Sequence, residues 1–150
     1  NDDLVRVNAS ELLNEIVGQM LSVGLASGSG VQVEQSFEPI KIDADDAAPL
    51  TLLVSEALTN ALKYVSTVEH GKGFISLKLI QTGPEQAMIE VRNTIGNPEE
   101  VKSGTGLGSR LILAFTRQLN GQVEVETTDG VYQIRVNFHV PTDSKMVYDY

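Results

Sequence analysis

Cysteine and tryptophan are absent from the 150 residues, and aromatic residues make up only 5%. Without cysteine there is no disulfide framework and no thiolate metal site, a usage compatible with the cytosol, where the chain is expected to reside. Basic residues are scarce too: 11 Lys and Arg stand against 20 Asp and Glu, for a formal charge of -9, and no Lys/Arg cluster occurs. Nucleic acid is therefore not an expected partner. No apolar run approaches the roughly 18 residues that suggest a membrane span, and the acidic N-terminus does not read as a signal peptide, so this segment is expected to make no membrane contact. What is present is ordinary for one globular domain: 41% hydrophobic and 21% charged residues. A chain of this length can bury roughly 68–70% of the surface that it exposes when unfolded.

Asn8 or Ser10 can cap a first helix carrying Leu12, Leu13, Ile16, Val17, Met20 and Leu21 on one face, ending at Ser27-Gly28-Ser29-Gly30. Residues 31–37 alternate as a half-buried strand, with residues 40–42 a short partner after Pro39. Asp43, Asp45 and Asp46 offer caps and favourable charge to a long central helix with Pro49 in its first turn, ending near Val65 or Ser66. Strands at 74–80 and 86–92 flank a turn at Thr82-Gly83-Pro84, and the polar residues 93–103 read as a lid. A third helix at 107–119 stops at Asn120-Gly121, and strands 123–127 and 132–140 close a hairpin around Thr128-Asp129-Gly130. This order predicts an α+β fold: a two-layer sandwich in which three helices cover one face of a mixed, mostly antiparallel sheet.

Two stretches carry chemistry. In the central helix, Leu50, Leu53, Val54, Ala57, Leu58 and Ala61 form the apolar stripe, and Glu56, Asn60, Lys63 and Tyr64 lie along its flank at steps of three, four and seven or eight. A carboxylate, an amide, an ammonium and a ring at the rim of a core suit a charged ligand with a flat, partly apolar part. The second stretch, Gly104-Thr105-Gly106-Leu107-Gly108, runs directly into the helix Ser109-Arg110-Leu111-Ile112. Its glycines permit close backbone approach, and N–H groups at a helix start attract phosphate. It is not a Walker A loop, because no Gly-Lys-Ser/Thr follows.

In this order, the two stretches resemble the N box and the second glycine box of the GHKL ATPases, the Bergerat-fold superfamily of histidine kinases, type II topoisomerases and mismatch-repair ATPases. The chain looks most like the catalytic domain of sensor histidine kinases of the HisKA_2 and HWE type, from about Val7 to Val140. The resemblance implies a single ATP-binding domain across residues 1–150, with residues 1–7 a link to a dimerisation hairpin and residues 141–150 a tail. It implies ATP and Mg²⁺ as cofactors. Asn60 would ligate Mg²⁺, Glu56 would orient its water or act as a base, Lys63 would pair with a phosphate, and Tyr64 would lie near the adenine. Gly104, Thr105, Gly106, Leu107 and Gly108 would wrap the triphosphate beneath the lid.

The adenine-reading box of the family, usually Asp-x-Gly-x-Gly, should fall at Asn93-Thr94-Ile95-Gly96-Asn97. Strand alternation puts Asn93 at the Asp position, with Gly96 as the second glycine; matching Gly96 without a gap would put Arg92 there instead, and the strand phase favours Asn93. Asparagine can still accept from an adenine amino group. Gly130-Val131 stands where the family often has Gly-Thr, and the Trp-x-Glu signature of HWE kinases is missing. The departures gather at the adenine end, which predicts weaker or less base-selective binding. His70 and His139 lack the helical setting of a phosphoacceptor, so the acceptor histidine would lie on an upstream hairpin. The implied activity is transfer of the ATP γ-phosphate to that histidine, with a response regulator as an indirect partner. Two alternatives stay open: a non-catalytic module that docks a phosphotransfer partner, and a protein-serine kinase of the anti-sigma-factor type.

Overall fold

Asn8 caps the first helix through its side-chain oxygen, which accepts from the backbone N–H groups of Ser10 (2.9 Å) and Glu11 (3.4 Å). The computed structural model describes residues 5–96 and 107–145. Its elements run β1 (Arg6–Asn8), α1 (Ala9–Gly24), β2 (Gln32–Phe37), β3 (Lys41–Asp43), α2 (Ala44–Val65), β4 (Phe74–Gly83), β5 (Gln86–Thr94), α3 (Leu107–Gln118), β6 (Gln122–Thr128) and β7 (Val131–His139). Five strands form one mixed sheet in the order β2-β4-β5-β7-β6, with β2 parallel to β4 and the other neighbours antiparallel. With the three helices this is the expected α+β sandwich.

The layers follow from two periodicities. On α2 the whole stripe of Leu50, Leu53, Val54, Ala57, Leu58 and Ala61 is buried. It meets the alternate residues of the sheet, among them Leu77, Ile89, Val91, Ile134 and Val136, all buried. The opposite face of the sheet is polar, and one row across it alternates in sign: Lys78, Glu90, Arg135, Glu124. Glu90 is nearly buried there and accepts from Arg135 Nη2 at 2.8 Å and Nε at 3.1 Å. Glu124 and Glu126 on edge strand β6 discourage pairing with another chain.

Four expectations are corrected. Residues 6 and 7 are not linker but part of β1, which pairs with β3 through Val7 and Ile42 while Arg6 Nη1 meets Asp43 Oδ1 at 2.7 Å. Residues 41–43 therefore partner β1 rather than β2, because β2 takes the parallel place beside β4. Pro49 sits in the second turn of α2, since the helix already starts at Ala44. It cannot donate to the Asp45 carbonyl four residues back. Residues 141–145 also belong to the fold: Ser144 is fully buried, its carbonyl accepts from Lys41 N–H (2.7 Å), and its hydroxyl accepts from Gln81 Nε2 (2.8 Å).

Asp46 lies in the first turn of α2, where an anion is normally favoured. Burial, then repulsion from Asp43 and Asp45, raise its pKa above the ordinary 3.8, against a smaller opposing pull from His139. Between 3.8 and that raised value the folded chain holds more proton than the unfolded one, so this group's contribution to stability falls as pH rises through the window. Asp46→Asn should accordingly raise Tm at pH 7 by about 1 °C and leave it unchanged near pH 3, as differential scanning fluorimetry at the two pH values would show.

Candidate functional site

The flank of α2 is built by helical spacing alone. Glu56 and Asn60 are one turn apart, about 6 Å along the axis, and Lys63 and Tyr64 follow one turn later. Glu56 and Asn60 are half-buried, Lys63 is exposed and Tyr64 is buried. The Lys63 ammonium lies 5.8 Å from the centre of the Tyr64 ring. Among the described residues, Glu56, Asn60 and Lys63 form no side-chain hydrogen bond or ion pair with one another or with neighbours.

Strand phase decides whether Asn93 or Arg92 of β5 faces the helices. Asn93 pairs across the sheet with Ile75 on β4 and Tyr132 on β7, in a row that faces the helices; it is only 1% exposed. Arg92 points to the opposite face, where its guanidinium lies 5.8 Å from the Phe74 ring centre. The Asn93 amide donates through Nδ2 to the Thr94 carbonyl at 3.0 Å. A carbonyl only accepts, so this contact fixes the amide's orientation and leaves Oδ1 as an acceptor without a partner among the described residues.

Tyr132 lies beside Asn93 and Tyr64 and is absent from the residues expected from sequence. Its ring meets Tyr64 edge-on, with centroids 5.4 Å apart and planes at 71°. Burial first, and Tyr64 second, raise its pKa above 10.0, so it stays a neutral phenol at physiological pH. The alternation of Tyr132, Ile134, Val136 and Phe138 was the available signal, since one face of β7 must carry all four.

Gly96 closes the end of this row. Its N–H donates to Thr67 Oγ1 at 3.0 Å, and a Cβ at Gly96 would run into the Thr67 carbonyl oxygen. On the other side, Ile95 N–H donates to the Gly130 carbonyl at 2.9 Å in the β6–β7 turn. The expected lid therefore begins later than residue 93, because Asn93 and Thr94 still belong to β5. Residues 97–103 of that lid, and Gly104, Thr105 and Gly106, lie outside the described residues. Leu107 and Gly108 open α3, which packs against α2.

The donor set can be weighed against Mg²⁺ and a nucleotide. Among the described residues no three His, Cys, Asp or Glu side chains gather as a cation cage. Mg²⁺ does not need one: it commonly takes one or two protein oxygens and completes its shell with phosphate and water. Asn60, with Glu56 one turn away, fits that habit. His70 lies in a loop and His139 at the end of β7, so neither stands on a helix.

Residues 45–144 match the protein family described as histidine kinase-, DNA gyrase B-, and HSP90-like ATPase. A search among curated proteins finds no significant match. Solved structures share the fold. A histidine kinase domain from the blue-light activated histidine kinase of Erythrobacter litoralis superposes with a TM-score of 0.77 at 21% identity, covering 89% of this chain and 62% of that one. The mycobacterial sensor histidine kinase MprB gives 0.71 at 17% identity over 92% and 98%. Full-length ShkA, solved in complex with AMPPNP, gives 0.73 at 18% identity over 93% of this chain and 32% of that one.

Proposed function

The chain belongs to the family of histidine kinase-, DNA gyrase B- and HSP90-like ATPases, and from that premise we propose that it binds Mg·ATP and transfers the γ-phosphate to a histidine on a dimerisation hairpin outside this chain. The observation that carries the proposal is the packing of α2 on the sheet, which sets Tyr64 against Tyr132 beside Asn93, with Asn60 one turn before Tyr64 on the same helix. Asn60 would hold Mg²⁺, which neutralises the triphosphate charge when bound. Lys63, exposed and without a carboxylate partner among the described residues, would pair with a phosphate. Glu56 would orient a water or take up the acceptor's proton. Tyr64 and Tyr132 give the purine apolar surface, and Asn93 Oδ1 accepts from its amino group. Phosphoryl transfer asks a protein mainly for positioning and charge compensation, which this set supports. A response regulator would then receive the phosphoryl group from the hairpin.

Titration of the domain with AMPPNP, with and without Mg²⁺, tests this: saturable, Mg²⁺-dependent binding is expected, and none at millimolar analogue would overturn it. The base contact makes a further prediction. Guanine, like adenine, offers N–H donors to a lone carbonyl acceptor, so Asn93 discriminates poorly between them. ADP and GDP affinities should differ by less than about tenfold, which corresponds to one hydrogen bond's worth of discrimination. A strong adenine preference by calorimetry would show that something other than Asn93 reads the base.

A further inference from the structure

A cavity of about 350 Å³ opens between the loop that joins α1 to β2 and the loop that joins α2 to β4. None of Asn60, Tyr64, Asn93 or Gly96 lines it. Leu25, Val31, Leu62, Val65 and Val68 give it apolar walls, and Ser29, Ser66, Glu69 and His70 line it as well. The frame is tight. A side chain at Gly24 would meet Leu62 Cδ1 at 2.6 Å, and one at Gly30 would meet the Gly71 backbone nitrogen at 2.9 Å. Gln32 N–H donates to the Gly73 carbonyl at 3.0 Å, so the two loops are joined at the strand entry.

One side chain crosses the mouth. His70 Nε2 lies 2.8 Å from the Gly28 carbonyl, and because a carbonyl only accepts, that nitrogen carries the proton and is committed. The lining also carries the Glu69 carboxylate, held by Lys72 at 3.2 Å with both side chains more than 70% exposed. Such a pair is weak and exchangeable.

We propose that this cavity is a binding site for a small apolar ring carrying an amine, the ring between the two loops and the ammonium on Glu69 in place of Lys72. The volume and the aliphatic side chains beside a carboxylate suit a molecule of that class. The same loop reaches the nucleotide side: Thr67 donates through N–H (3.1 Å) and Oγ1 (2.7 Å) to the Tyr64 carbonyl and accepts from Gly96 N–H. Occupancy of the cavity therefore biases the loop that fixes Gly96, and by linkage amine and nucleotide alter each other's affinity. Only this coupling rests on the proposed nucleotide site.

The test is titration of ¹⁵N-labelled protein with tryptamine, indole and indole-3-acetate. Tryptamine should saturate at millimolar concentration or below, moving the amides of Gly28, Gly71 and Gly73, and should bind about two- to fivefold tighter than indole. Indole-3-acetate should bind more weakly than either. Ala26→Trp, at an exposed residue on the rim, should abolish the shifts without lowering Tm, and Glu69→Gln should reduce tryptamine to the level of indole. The proposal is overturned if tryptamine fails to saturate, if Ala26→Trp leaves the shifts intact, or if tryptamine binds no better than indole-3-acetate. A parallel AMPPNP titration with tryptamine present reads the coupling: an unchanged affinity would refute it while leaving the site in place. Absence of AMPPNP binding would instead refute the nucleotide site alone.

Discussion

Asn60→Ala should lower Mg²⁺-dependent affinity for AMPPNP by about 100-fold or more, while Tm of the nucleotide-free domain hardly changes. The two halves of this expectation have separate causes. Outer partners of metal ligands already cost about 10–100-fold in affinity when removed, so the loss of a direct oxygen ligand should exceed that range. The fold, by contrast, does not depend on the amide. Asn60 is half-buried at the edge of the α2 stripe and makes no side-chain hydrogen bond among the described residues. Alanine is the better helix former, and a change at such a site should stay within about 0.5 kcal/mol. Isothermal titration of both proteins, with Mg²⁺ and with EDTA, separates the effects. In EDTA the two should bind alike, weakly. If the variant kept its response to Mg²⁺, the metal ligand would have to be sought elsewhere, with Glu56 the next candidate one turn away.

How legible this site was in the sequence depends on how local its causes are. The α2 stripe and the Glu56, Asn60, Lys63, Tyr64 flank follow from a 3.6-residue repeat, and every stripe position is buried. Strand alternation likewise decided between Asn93 and Arg92 before any fold was known, because a shift of one residue changes the face. Non-local pairings were not legible. Nothing in Arg6–Asn8 announces β3 as its partner, and the parallel β2–β4 register depends on where α2 returns the chain. Tyr132 was legible in principle through the alternation of β7, but its place beside Tyr64 and Asn93 required knowing that β7 neighbours β5. The close approach of Gly96 to Thr67 was the least accessible, since it joins two loops 29 residues apart.

That approach sets the last prediction. Gly96→Ala should destabilise the domain by about 1–3 kcal/mol and weaken nucleotide binding at least about tenfold. The added Cβ would collide with the Thr67 carbonyl oxygen, lying 2.6 Å from the carbonyl carbon and 2.9 Å from Oγ1. Relief by moving Thr67 is opposed by its two hydrogen bonds to the Tyr64 carbonyl at the end of α2. Relief by moving residue 96 is opposed by the Ile95 bond to Gly130. The strain must therefore spread to Tyr64 on one side or to the β6–β7 turn on the other, and both border Asn93 and Tyr132. Thr67→Ala discriminates between this account and a simple side-chain clash. Removing the hydroxyl should cost about 1 kcal/mol for its lost hydrogen bonds, and it should not rescue Gly96→Ala, because the main obstacle is a backbone carbonyl that every residue carries. Urea unfolding of both single variants and the double variant completes the cycle. A double variant more stable than Gly96→Ala alone by over about 1 kcal/mol would locate the collision at the hydroxyl and refute the argument.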